Sequence, residues 1–234
     1  MKRKKTSGLI AKWKDGFPNG KANAIEVEKL PNQNEQQSNG PSLTLIRRQP
    51  VTFRLSRLEN PEDFERMSFV IKACGKGKGR LYKTVLHVER TKTGSRLVAI
   101  DGYRLHVAEI SKRIKCGNYK PLVAKDEIIL GEPLEGINFP AWEKAVPKNV
   151  EKSTVIDLGK TGKGNTVKKA AEMSLAVNAL NAKTGLVVNF RYIAELPKTA
   201  WAVYKEPGFG KVMVKQQGGE ESAFAVFVPV GKAA

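Results

Sequence analysis

Residues able to do chemistry are sparse in this chain, and their spacing does not suit catalysis. His87 and His106 are the only histidines. Each lies in a run that alternates apolar and polar residues, which assigns both to strands rather than to a reactive centre. Two histidines exclude a histidine-rich metal site. Cys74 and Cys116 are too few and too isolated for a disulfide framework or a zinc site. Both read as reduced thiols, with Cys74 buried on a helix. The carboxylates Asp101, Asp126, Glu127 and Asp157 pair with no nucleophile or ligand cluster at a recognisable spacing. Asp101, beside Gly102, is better explained as a turn residue. The expectation is a binding protein, not an enzyme, with no cofactor and no metal.

What remains is charge. Lys+Arg 41 against Asp+Glu 23 gives a net +18, and self-repulsion of that size implies a polyanionic partner. Nucleic acid is favoured over an anionic membrane, because no basic amphipathic helix stands out. A solubilising surface excess is the plain alternative. No apolar run approaches the roughly 20 residues that span a bilayer. Met1 to Lys5 is basic, yet Leu9-Ile10-Ala11 is too short for the apolar core of a signal peptide. A cytoplasmic location is expected.

The chain, 234 residues with 41% hydrophobic, can form one large or two small domains with a proper core. Residues 1–48 read as a basic tail, carrying Lys2, Arg3, Lys4, Lys5, Lys12, Lys14 and Lys21, followed by a polar linker at 31–41. Order is expected from Val51 to Leu55, a strand pattern. A helix follows: Asn60 as N-cap, Pro61 in the first position, Glu62 and Asp63 complementing the dipole, and Gly75 as a left-handed stop. Phe64, Met67, Val70, Ile71 and Cys74 share its inner face. Lys76-Gly77-Lys78-Gly79-Arg80 is a basic turn suited to a phosphate backbone, without the spacing of a phosphate-binding loop. Strands are expected at 81–90, at 96–110 with a break at Asp101-Gly102, and at 120–130. Phe139-Pro140 opens a connection that cannot be continuous sheet. Thr154 to Leu158 is a strand, and residues 166–182 fit neither period. Beyond them come a strand at 186–188 and a short helix from Phe190 to Leu196 capped by Asn189. Strands at 201–204, 211–215 and 223–230 complete the chain. The fold class is α+β, strand-rich with a few short helices.

Three segments share an order with a known family. Val98 to Leu105 is similar to the Ala-Thr-Asp-Gly-x-Arg-Leu signature of the bacterial DNA polymerase III β subunit, the sliding clamp, with Ile100 in the Thr place. Phe139 to Pro147 resembles its Phe-Pro-x-Tyr-x-x-x-x-Pro segment, with Trp142 in the Tyr place, and Ala225 to Val230 stands for its closing Val-x-Met-Pro strand. Val188 to Ile193 is similar to its Phe-Asn-x-x-Tyr-Leu. The resemblance spans residues 51–232 and is one of motifs. It departs from the family in Lys83, which stands where an apolar pocket residue is usual, in the short interval from Asp101 to Phe139, and in lacking an equivalent of the first domain.

The resemblance implies a DNA-clamp-like fold of two reduced units, 49–134 and 135–234. Family helices line a ring around double-stranded DNA and family sheets form its outside. It implies a pocket for short partner peptides of the Gln-Leu-x-Leu-Phe type, carried by polymerases or repair proteins. That pocket would be built from Asp101, Gly102, Tyr103, Arg104, Leu105, Pro140, Lys144, Ala145, Val226, Val228, Pro229 and Val230, with Trp142 at the rim. Gly102 would leave room for a peptide backbone and Arg104 would hold a carboxylate or carbonyl. DNA phosphates would be met without sequence reading by Arg54, Arg57, Arg66, Lys72, Lys76, Lys78, Arg80, Lys168 and Lys169, with Tyr82 beside them. A homo-oligomer and a clamp loader are the further expected partners. A second reading keeps the charge but not the clamp: a nucleic-acid-binding module acting through the tail and the Lys/Gly turns.

Overall fold

The computed structural model describes residues 50–75, 80–159, 166–208, 210–218 and 223–232. The basic tail, the linker at 31–41 and most of the Lys/Gly turns lie outside them. Residues 49–234 form one compact unit.

Its centre is an antiparallel sheet of eight strands in the order β5-β2-β3-β4-β12-β11-β10-β8. In chain order these are β2 (Leu86–Arg90), β3 (Ser95–Ile100), β4 (Arg104–Ile110), β5 (Gly117–Tyr119), β8 (Glu151–Asp157), β10 (Ala200–Lys205), β11 (Val212–Gln216) and β12 (Ala223–Phe227). A small sheet, β1 (Phe53–Ser56), β7 (Glu127–Leu130) and β6 (Leu122–Val123), stands apart from it. A two-stranded pair joins β9 (Leu186–Val187) to β13 (Gly231–Lys232). The helices are α1 (Pro61–Ile71), α2 (Thr166–Thr184) and α3 (Phe190–Ala194). The large sheet crosses the boundary expected at residue 134, because β4 pairs with β12 from Ala108↔Ala223 to Arg104↔Phe227.

Strand alternation gives this sheet two different faces. Leu97, Ala99, Ala108, Val214, Ala225 and Phe227 point one way, into a large core with Phe64, Met67 and Val70 of α1 and with α2. Val98, Leu105, Val107, Met213 and Val226 point the other way, into a small second core. What covers that second face is the irregular segment around Phe139, Trp142, Ala145, Val146 and Val150.

Several elements differ from the sequence expectation, each for a local reason. The helix at 61 starts without an Asn60 side-chain cap; Asn60 contributes its carbonyl to Phe64 N–H at 2.9 Å. Asp63 does more than complement a dipole. Its buried carboxylate accepts from Ser111 N (3.1 Å), Ser111 Oγ (2.6 Å) and Lys112 N (3.3 Å), bolting α1 to the end of β4. Gly75 is not left-handed, and Cys74 lies half-buried beyond the helix end. The chain leaves α1 through a turn, and Gly75 N–H donates to the Lys83 carbonyl at 2.6 Å. Burial pushes the Cys74 thiol up to about 12, which fits an inert thiol.

Leu81–Thr84 is a 3-10 turn rather than the start of a strand, and the expected strand at 120–130 is split between β6 and β7. Residues 166–182 are helical. Met173, Val177, Leu180 and Thr184 form one buried stripe at helical spacing, while Leu175 faces solvent and spoils the pattern. Gly185, at φ +68°, ends this helix with its N–H on the Asn181 carbonyl, the left-handed exit a glycine provides without strain.

Candidate functional site

Three segments distant in sequence lie at or near the outer face of the sheet. The first is the β3–β4 turn. Asp101 Oδ1 accepts from Tyr103 N (2.9 Å) and Arg104 N (3.0 Å), an Asx-type turn. Gly102 completes it at φ +98°, with the Lys83 amine so near that a Cβ would lie 2.7 Å from Nζ. The second is the chain end. β12 stops at Phe227, and Val228 N–H donates to the Tyr103 carbonyl at 2.8 Å, laying the tail against the turn. The third is a strap, residues 139–147, that crosses the face between Pro140 and Pro147 with one 3-10 turn (Trp142–Ala145).

Leu105 (2% exposed) and Val226 (3%) form the floor with Val98, Val107 and Met213, and Trp142 (6%) lies upon them. Ala145 packs at the edge, Pro140 is half-buried and Lys144 is exposed on the strap. Tyr103, Val228 and Val230 are exposed apolar residues, the last at 68%; Pro229 is half-buried between the two valines, and Val230 N–H donates to the Val187 carbonyl of β9 at 2.8 Å, turning the tail toward the helix side. Trp142 is therefore buried upon the floor, where the resemblance implied a rim position.

Arg104 is directed to the opposite face. Its guanidinium bonds Asp101 Oδ2 at 2.9 Å, the Glu195 carboxylate and the Lys72 carbonyl, and it lies 4.8 Å over the Tyr192 ring. Strand alternation compels this, since Leu105 faces outward and its neighbour cannot. Asp101 sits at the junction, shaping the turn with one oxygen and holding Arg104 with the other.

On the helix side a cleft of about 790 Å³ opens between α1, the β6–β7 turn and α3. Arg57, Lys72, Lys125 and Arg191 line it, with Phe64 and Tyr192. Burial lowers the pKa of Lys72, against the opposing pull of Glu195 and Glu65. Burial also raises the Tyr192 phenol, with Asp101 adding to the effect. Lys125 and Arg191 carried no signal in the sequence beyond their charge; only the fold brings them to this cleft.

The cations expected to meet DNA are mostly paired here. Arg54 bonds Glu127 (3.3 Å), Arg57 lies near Glu65 (3.6 Å) and Asp126 (3.9 Å), and Arg66 bonds Glu62 (2.5 Å) and the Glu109 carbonyl (3.2 Å). Lys72 donates to the Glu195 carbonyl at 2.9 Å. Pairs this exposed are worth about 0–1 kcal/mol, so a phosphate can replace the carboxylate. Arg80 is exposed at the start of the 3-10 turn. Tyr82 stands apart from these cations, edge-on to Phe139 of the strap at 6.5 Å. Lys76 and Lys78 lie outside the described residues, and so do the side chains of Lys168 and Lys169 in the first turn of α2.

Both histidines are strand residues. His106 is fully buried, its Nδ1 donating to the Phe69 carbonyl at 2.8 Å while Nε2 has no partner. Desolvation lowers its pKa to about 3, so it is neutral. Among the described residues no three His, Cys, Asp or Glu converge as a metal site, and no helix is long and apolar enough to cross a membrane.

A strand-rich unit with short helices packed on one sheet face is a clamp-like fold, and solved structures carry the same arrangement. The chain is similar to DNA polymerase III subunit beta from Borrelia burgdorferi in complex with a natural product, at TM-score 0.54 and 9% identity, over 80% of this chain and 65% of that one. It is similar to the DNA polymerase III beta chain of Streptococcus pneumoniae at TM-score 0.52 and 11% identity, over 84% and 68%. The DNA polymerase sliding clamp of Pseudomonas aeruginosa matches at 0.51 and 13%, over 78% and 67%. The chain thus spans about two thirds of each. No family model matches it, and no curated protein matches it in sequence. At these identities the likeness defines the fold.

Proposed function

We propose that this protein is a sliding-clamp-like, non-catalytic DNA-binding protein that tethers polymerases or repair proteins by their short peptides. The observation that carries the proposal is that Leu105 after the β3–β4 turn, Trp142 and Ala145 of the 139–147 strap, and Val226 before the tail pack into one apolar cluster on the sheet face opposite the helices. An apolar floor with exposed Tyr103 and Val228 at its end, and Val230 beyond them, fits an extended apolar peptide. The helix side, with its cleft of Arg57, Lys72, Lys125 and Arg191, serves double-stranded DNA through phosphates, independent of sequence.

Copies of the chain join through the open edge of the large sheet. At one end β5 is three residues long and its free side is taken by the Asn118↔Leu134 bridge. At the other end β8 has no strand on its outer side among the described residues, and Val155 is exposed along it. A clamp loader is a further partner of such an assembly.

The test is a fluorescence-anisotropy titration of a labelled Gln-Leu-x-Leu-Phe peptide against the wild-type protein and the Val230→Asp variant. Saturable binding, weakened at least tenfold in the variant, is the expected result. No saturation with the wild type at high protein concentration would sink the peptide-tethering reading.

A further inference from the structure

We propose that Trp142 is the resident occupant of the outer-face pocket, a plug that a partner's side chain must displace. The inference rests on the pocket reading above and adds how the pocket is kept closed. Trp142 is almost fully buried although it belongs to a segment without regular sheet pairing. Among the described residues, the backbone hydrogen bonds of residues 139–147 are local, Lys144 N–H to the Ala141 carbonyl and Val146 N–H to the Glu143 carbonyl, each at 3.2 Å. None ties the strap to the sheet beneath.

Side chains hold it instead. The indole Nε1–H donates to Glu89 Oε1 at 2.9 Å. Phe139 stacks on His87 with centroids 4.4 Å apart and planes 6° from parallel. Lys211 Nζ donates to the Ala145 carbonyl at 2.8 Å. Such a segment can lift as a unit without breaking the sheet, because its opening costs a few side-chain contacts and no ladder bonds. Lifting uncovers Val98, Leu105, Val107, Met213 and Val226, an apolar floor that includes Leu105 and Val226 of the proposed peptide site.

The residues left behind define the ligand that fits. Glu89 loses its indole donor and keeps, among the described residues, the looser neighbours His87 Nε2 at 3.4 Å and the Arg96 guanidinium at 3.7 Å. A displacing side chain therefore needs a large apolar body for the floor and an N–H or O–H at its far end for Glu89, as in tryptophan or tyrosine. Purely aliphatic or phenylalanine-bearing peptides fill the floor yet leave the carboxylate short of a donor. Their apparent affinity is also reduced by the fraction of time the strap is closed.

The test compares the indole N–H groups of Trp142 and Trp201 by hydrogen exchange in NMR spectra of the full chain. Trp201 donates to the Pro197 carbonyl within the main core and is the internal reference. A plug predicts exchange at Trp142 at least 100-fold faster than at Trp201, and faster again in Glu89→Gln. It also predicts that Trp142→Leu, chosen to keep the floor covered by a smaller group, binds the labelled Gln-Leu-x-Leu-Phe peptide several-fold more tightly than the wild type. Exchange at Trp142 as slow as at Trp201, or unaltered peptide affinity in Trp142→Leu, would overturn the plug. Failure of both proteins to bind any peptide would overturn the pocket reading on which it rests, while the exchange ratio still decides whether the strap opens.

Discussion

The two faces of the eight-stranded sheet are made by the same strands and covered by different means. On the inner face, α1, α2 and the small sheet bury a continuous core with fully buried Phe69 and Trp201. On the outer face, a proline-bounded strap covers a handful of residues, and Tyr103 and Val228 at the nearby turn stay in solvent. The inner face is where stability resides. The outer face is covered just enough to keep its floor dry, which is the property expected of a surface that exchanges its cover for a partner.

Truncations should separate the faces most sharply. Trp201→Ala is expected to cost about 3–5 kcal/mol in urea unfolding, as large aromatic truncations in a close-packed core do. Trp142→Ala should cost clearly less than Trp201→Ala, because the strap can resettle over the gap. Equal costs would erase the distinction between a load-carrying core and a lid. Arg104→Ala should cost about 3 kcal/mol although the residue lies at a turn. Its guanidinium is nearly buried against Asp101 and Glu195, and its loss takes a donor from Asp101 Oδ2, the Glu195 carboxylate and the Lys72 carbonyl. A change under 1 kcal/mol would show that Arg104 is free for a ligand instead.

Acid should attack the inner face through His106. Its folded pKa of about 3 lies below the unfolded 6.5. Between these values the unfolded chain binds a proton that the folded one refuses, so this contribution to stability is intact above pH 6.5. It is lost as pH falls from there toward 3, by up to about 1.4 kcal/mol per pH unit. His106→Phe keeps the stacking on Phe69 and should flatten that slope in unfolding curves measured at successive pH values; an unaltered slope would assign the acid sensitivity elsewhere. The smallest stability effect belongs to Val230→Asp, expected within about 0.5 kcal/mol of wild type, which makes its expected loss of peptide binding a statement about the surface and not about folding. On the other side, Lys125→Ala and Arg191→Ala should each reduce the salt dependence of duplex binding by about one phosphate contact.

The fold class was legible because strand alternation and capped helices are local signals. Asn189, for instance, caps α3 as its type predicts, its side chain accepting from Arg191 N–H. The gathering of the 101–105 and 226–230 segments was legible through the family resemblance, although neither segment shows in isolation that Val228 will bond Tyr103. What stayed hidden depends on long-range packing. The alanine-rich α2 buries a single narrow stripe, so its period is faint in the sequence. Arg104 looked available because a sequence does not say which face of a strand will be bonded to a glutamate 91 residues away. The depth of Trp142 goes with Glu89, distant on β2, offering its indole a partner.

The most direct test of the division between faces is a hydrogen-exchange footprint of one protein with each of two ligands, a Gln-Leu-x-Leu-Phe peptide and a short DNA duplex. The peptide should slow exchange in residues 101–105, 139–147 and 226–230, and the duplex should slow it in α1, the β6–β7 turn and α3 while leaving the outer face unchanged. Protection of the outer face by the duplex, or of the α1 cleft by the peptide, would contradict that division.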